Sequence, residues 1–162
     1  MAIILDAWNR PKSVIDKSVF HGLFTFGIPE NTWYERINGT VQSAFTNCSS
    51  VDGELRVTAG ATLNDKTNLR SFRNPRYQPN RGHLYSTACI IENPDGLMNR
   101  RFGIGTDENA VFFSIESGLL YGVIRTTMSS VTTEDKYLIE TNDFDLSKGN
   151  IYDIQFQSST VS

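Results

Sequence analysis

From Val19 onward, polar and apolar positions alternate over short stretches broken by Gly, Asn, Asp and Ser. "VFHGLFTF" (19–26) is rich in Val and Phe. "NTWYERI" (31–37) and "TVQSAFT" (40–46) alternate on either side of Asn38-Gly39, a strong signal for a two-residue hairpin turn. "GELRVTAG" sets Leu55 and Val57 against Glu54, Arg56 and Thr58. "GHLYSTACIIE" (82–92) follows and ends at the turn "NPDG". "RRFGIG", "AVFFSIE" and "LLYGVIRTT" come next, separated by "TDEN" and "SG". "KYLIET" and "IYDIQFQ" flank the loop "NDFDLSKGN". The pattern predicts about ten short strands, and no stretch of helical length carries an i, i+3, i+4 apolar stripe. Many short strands at regular spacing imply an all-β fold. The expectation is an antiparallel two-sheet sandwich of jelly-roll or concanavalin-like type.

Two segments carry more detail. In "HLYSTACII", Leu84, Ser86, Ala88 and Ile90 share one face, and His83, Tyr85, Thr87 and Cys89 share the other. "NAVFFSIESGLLYGVIRTT" reads as a hairpin turning at Ser117-Gly118. Apolar residues occur on both its faces, which suits the centre of a sheet.

Residues 1–17 have neither period. Trp8, Pro11 and alternating charges read as an extended N-terminal arm, and an aromatic of that size docks on protein rather than standing in water. The sandwich domain is expected over 18–157, with a polar tail at 158–162. The length of 162 residues suits one domain with its own core.

Charge narrows the functional classes. The formal net charge is -3 and the isoelectric point about 5.3, against the basic character of nonspecific nucleic-acid binders. No apolar run reaches the ~18–20 residues of a membrane span, and "MAIILDAWNRPK" is too short and too interrupted for a signal peptide. A reducing compartment is therefore expected, with Cys48 and Cys89 as thiols, and the sequons at Asn38 and Asn47 unused.

The densest chemistry lies in "NLRSFRNPRYQPNRGHLYST" (68–87), where arginines alternate with aromatics. Pro75 and Pro79 exclude a central strand through its middle. Arg73, Arg76, Tyr77, Gln78 and Arg81 are candidates for an interface or sheet-edge loop, since Arg and Tyr anchor protein contacts. Trp33, Tyr34, Tyr77 and Tyr85 are the candidates for stacking on a glycan. Asp143, Asp145 and Ser147 have the spacing of a calcium loop. Lys148 stands where its Gly is required and Ile154 where its Glu is required, so a polar turn is expected instead. Only His21 and His83 are available as imidazoles, neither in a hydrolase context, and Glu54, Glu116 and Glu140 have nothing to single them out. No cofactor, metal or catalytic residue is assigned.

"LDAWNRPKSV" (5–14), "RYQPNRGHLYST" (76–87), "RRFGIGTDENAVFF" (100–113) and "LSKGNIYDIQFQ" (146–157) resemble, in the same order, a group of tailed-bacteriophage virion proteins. Those proteins share an Asp-Ala-x-x-Arg arm, an Arg-Tyr-Gln-Pro segment, a Phe-Gly turn before Val/Phe-Phe, and an Asp-x-x-Phe-Gln strand. Arg76-Tyr77-Gln78-Pro79 is the most specific of these matches. The resemblance implies a β-sandwich structural protein of the tail, baseplate, fibre or capsid exterior, without established chemistry. In the family, further strands follow the last segment; here "IYDIQFQ" runs into "SSTVS". A shortened member, or part of a longer product, is expected, with a neighbouring subunit supplying a missing strand.

The resulting expectation is a virion protein, made in the host cytoplasm, that assembles with its own copies and with other virion proteins. Its arm would dock through Trp8, Arg10 and Pro11. The alternative is a lectin-like module that binds a host-surface glycan.

Overall fold

The computed structural model describes residues 22–60, 62–73, 82–94, 96–140 and 145–157. Among them there is no helix, and every strand pairing is antiparallel. The protein is all-β. It divides into two compact units, one ending at Tyr77 and the other beginning at Gln78. The expected 18–157 domain spans both. The arm at 1–17, the tail at 158–162 and the Arg76–Arg81 segment lie outside the described residues.

In the first unit, β1 (Trp33–Ile37) turns through Asn38-Gly39 into β2 (Thr40–Val41). Both turn residues have positive φ, 50° and 88°, as a tight hairpin of this twist requires. The predicted strand over 40–46 is cut to two residues for a physical reason. The Glu35 carboxylate accepts the N–H groups of Thr46 (2.7 Å) and Asn47 (2.9 Å), and so draws the chain out of the ladder. A second hairpin, β3 (Cys48–Val51) and β4 (Glu54–Val57), turns at Asp52-Gly53, also at positive φ. β5 (Thr67–Ser71) completes a sheet of order β2-β1-β5.

The hydrophobic pattern does not show β3 or β5, because "CSSV" and "TNLRS" have almost no apolar alternation. Their partners hold them instead. Asn38 exchanges backbone and side-chain hydrogen bonds with Lys66, and Asn47 Nδ2 donates to Thr67 Oγ1 at 3.0 Å. Conversely, Gly22–Phe26 of "VFHGLFTF" forms no strand; Phe24–Gly27 is a turn. Phe24 packs 5.5 Å from Trp33, while Phe26 stands exposed.

The second unit is a two-layer sandwich. β6 (Gly82–Cys89) pairs with the last strand, β11 (Asn150–Gln157). Between them in sequence, β7 (Arg100–Gly105), β8 (Ala110–Glu116), β9 (Leu119–Met128) and β10 (Val131–Ile139) form a meander of order β10-β9-β8-β7. β8 and β9 are the central strands, joined at Ser117-Gly118, and residues on both their faces are buried. β10 starts five residues before the apolar "KYLIET" because the β9–β10 turn is Ser129-Ser130. Both serines have positive φ, and cross-strand threonine pairs (Thr126–Thr133, Thr127–Thr132) flank the turn.

The two layers meet at a core of Ile91, Ile115, Leu120, Leu146 and Tyr152, flanked by Cys89, Phe102, Phe113 and Ile139. Tyr152 meets Phe102 and Phe113 edge-on, at 4.9 and 5.4 Å between ring centroids. Register decides which face of β6 turns inward. Tyr85 pairs with Ile154, Thr87 with Tyr152 and Cys89 with Asn150, so this face follows the buried side chains of β11. Leu84 and Ile90 are left exposed on the other.

Candidate functional site

Two constellations stand out, one in each unit. In the first unit, strand alternation places Thr32, Tyr34 and Arg36 on one face of the three-stranded sheet. Tyr34 lies opposite Arg70 across the β1–β5 ladder, and Arg36 opposite Val41 across the β1–β2 ladder. Phe72, just past β5, is anchored by its N–H donating to Thr32 O at 2.9 Å. Its ring therefore sits 4.7 Å from Tyr34, tilted by 35°. Tyr34, Arg36, Gly39, Val41, Ser71 and Phe72 line a shallow groove of about 370 Å³. Arg36 is fixed at its rim, donating from Nε (3.2 Å) and Nη2 (3.1 Å) to Gly39 O. Phe72 stays 58% exposed, so the groove offers an open aromatic surface beside a guanidinium.

Beneath β1, Glu35 is 1% exposed. Burial alone would raise its pKa. The N–H groups of Thr46 and Asn47 and the hydrogen bonds from Cys48 outweigh this, and its carboxyl sits below the usual carboxylate range. The Cys48 thiol is pushed up to about 12, by burial first and then by Glu35. Cys89 is pushed up to about 11 by burial. Both shifts disfavour the thiolate form at neutral pH.

In the second unit, the face of the four-stranded sheet away from its core carries an ionic lattice. Gly103 lies opposite Phe112 in the β7–β8 ladder, which leaves room for the ring. The guanidiniums of Arg101 and Arg125 lie 5.3 and 5.1 Å from the Phe112 centroid, within cation–π range. Glu134 binds both: Oε1 accepts from Arg125 Nη2 (2.6 Å) and Nε (3.0 Å) and from Arg101 Nη1 (3.1 Å). Glu116 accepts from Lys136 Nζ (2.8 and 2.9 Å) and from Ser114 Oγ (2.8 Å), and pairs with Arg101 at 3.5 Å.

The lattice lowers both carboxyls. For Glu116 the Lys136 hydrogen bond dominates. For Glu134, burial works upward but Arg125 and the charges of Arg101, Arg125 and Lys136 outweigh it. A glycosidase general acid needs a raised pKa. These two carboxylates are held ionised, so the lattice is a brace for Phe112 and is unsuited to proton donation.

The sequence candidates distribute unevenly over this geometry. Tyr34 lies in the groove. Trp33, its neighbour in β1, packs on Phe24 and against Gly22, where an added Cβ would meet the Trp33 ring at 2.7 Å. Tyr85 faces the sandwich interior, and burial raises its hydroxyl. Trp33 and Tyr85 are each engaged in packing within their own unit. Arg73 is exposed, and its backbone brackets Ser71 Oγ through two hydrogen bonds. Trp8, Arg10, Pro11, Arg76, Tyr77, Gln78 and Arg81 lie outside the described residues. Asp145 accepts from the N–H (2.9 Å) and Oγ (2.6 Å) of Ser147, a polar turn leading into β11.

Sequence reasoning did not single out Phe72 as a stacking residue, nor the lattice. The signal for the lattice was the register implied by the Ser129-Ser130 turn, which sets Arg125 opposite Glu134. No protein-family model matches the chain, and no curated protein and no solved structure matches it.

Proposed function

We propose that the protein is a bacteriophage virion structural component that acts by assembly and docking onto its own copies and other virion subunits. The observation that carries this reading is the apolar balance of the first unit. Among its described residues Cys48 is the one buried apolar side chain. Leu23, Phe26, Val41, Val51, Val57, Leu63 and Phe72 are all exposed. So thin a core with so much apolar surface suits a module completed by neighbours. The resemblance of four ordered segments to tailed-phage virion proteins supports the same reading.

Antibodies against the chain should decorate purified phage particles in negative-stain electron microscopy, and light scattering should return a defined oligomer. Unlabelled particles together with a monomeric mass would overturn the proposal. The arm hypothesis is tested separately: Trp8→Ala should reduce assembly, and a variant assembling like the parent removes Trp8 from the mechanism.

The second reading is a lectin-like module that binds a host-surface glycan, favoured by the Tyr34–Phe72 groove. Aromatic rings beside a guanidinium suit the apolar face and hydroxyls of a pyranose. Saturable binding on a glycan array, lost in Tyr34→Ala, would support it. Absence of binding across neutral and acidic glycans would remove it.

A further inference from the structure

Among the described residues, β10 ends the four-stranded sheet and has one neighbour, β9. It is nine residues long, and both its faces carry exposed apolar groups: Val131 (63%) and Tyr137 (61%) on one, Leu138 (58%) on the other. The two-residue turn at Ser129-Ser130 makes Met128–Val131 the closing hydrogen-bonded pair. Backbone groups of Val131, Thr133, Asp135, Tyr137 and Ile139 then point toward β9. Those of Thr132, Glu134, Lys136 and Leu138 point outward. Such an edge is a template for another strand.

The residues on the edge select its partner. Consider a second copy running antiparallel, related by a two-fold axis perpendicular to the sheet. A residue of β10 must then lie opposite itself, because paired residues share a face. With the axis at Glu134, two carboxylates oppose; with the axis at Lys136, two ammoniums oppose. With the axis at Asp135, Glu134 lies opposite Lys136 of the other strand, twice, and Val131 lies opposite Ile139. Thr132 and Leu138 then also pair through their outward backbone groups. The Asp135 axis also sets two carboxylates opposite each other, but of these three registers it alone offsets the like-charge contact with two Glu134–Lys136 pairs, and that compensation selects it among them.

We propose that β10 pairs with β10 of a second copy, antiparallel and centred on Asp135, to form one continuous eight-stranded sheet. This rests on the self-assembly reading above and adds the surface and register by which two copies meet.

Single-cysteine substitutions along β10 test it. Asp135→Cys places two thiols across the axis within disulfide reach and should give a covalent dimer under mild oxidation. Thr133→Cys and Tyr137→Cys should each remain uncrosslinked alone and form a heterodimer when mixed, since those positions oppose each other. The parent chain, with its buried Cys48 and inward Cys89, is the background control. Asp135→Asn, which removes the like-charge contact, should strengthen dimerisation several-fold in a sedimentation dilution series. Leu138→Pro, which deletes an outward N–H, should weaken it. An oligomer that forms without the Asp135→Cys crosslink overturns the β10 pairing and leaves self-assembly standing. A chain that is monomeric throughout and never crosslinks overturns both.

Discussion

Phe112 lies directly across the β7–β8 ladder from Gly103, and a Cβ built on Gly103 would meet the Phe112 Cα at 2.5 Å and the Val111 carbonyl oxygen at 2.4 Å. These are backbone atoms in the middle of a sheet and have little freedom to give way. Gly103→Ala should therefore destabilise the fold by about 1–3 kcal/mol, in the range of core overpacking. Gly149→Ala is the control. Its nearest neighbour would be 3.8 Å away, in ordinary contact, and the effect should stay within about 0.5 kcal/mol. Equal midpoints for the two variants in urea would refute the role given to Gly103.

The lattice above Phe112 predicts a dependence on acid and salt. The folded pKa values of Glu116 and Glu134 are both lowered. Their contribution is present above the unfolded carboxylate value, near 4.5, and is lost as pH falls through the lower folded values. With the participating side chains 18–38% exposed, each pair contributes no more than about 1 kcal/mol. The melting temperature should be flat between pH 7 and 5.5 and fall below about pH 4.5. Glu134→Gln should reduce the part of that fall due to this residue, and 1 M salt should flatten it further. A Glu134→Gln acid profile identical to the parent's would exclude Glu134 as a contributor.

Ser129 and Ser130 both hold left-handed backbone, at φ 50° and 65°. An L-residue there costs about 1 kcal/mol relative to Gly, and this turn class prefers Asn-Gly. The double substitution Ser129→Asn, Ser130→Gly should raise stability by roughly 0.5–1.5 kcal/mol, visible as a melting temperature several degrees higher. A lower melting temperature would mean that the serine side chains contribute something the backbone does not explain.

Glu35 holds the loop before β3 through two N–H groups and loads the Cys48 thiol. Glu35→Ala would leave the Thr46 and Asn47 donors without their acceptor, at about 1–3 kcal/mol each if they stay buried. In the parent, Cys48 and Cys89 should react with an aromatic disulfide reagent far more slowly when folded than in denaturant, because both thiols are raised. Glu35→Gln removes the charge that helps raise Cys48 and should speed its reaction in the folded state. Rapid labelling of both thiols in the native parent would contradict the burial described for Cys48.

Alternation and turn chemistry are local properties, and they made the hairpins at Asn38-Gly39 and Ser117-Gly118 readable from the sequence, along with the central place of β8 and β9. β3 and β5 escaped because polar, small-residue strands have no amphipathic signature; Asn38 and Asn47, far from β5 in sequence, hold its start, while Glu35 and the pairing with β4 hold β3. The aromatic "VFHGLFTF" misled for the opposite reason. Phe24 packs on Trp33 from a turn, so a packed ring does not require a strand to carry it.

By itself the sequence determined that this chain builds antiparallel β-structure, with no helix among the described residues, since a period of two and closely spaced turn residues leave the backbone few alternatives. Only the tertiary structure decided which side chains meet. Pairing with β11 turned Tyr85 and Cys89 inward and left Leu84 and Ile90 outside. Distant strands brought Phe72 to Tyr34, and Arg101 to Glu134. The physical reason is that one strand's alternation defines two faces and is silent on which is buried. That choice belongs to the register of a partner strand, and here the partners lie far apart in the chain.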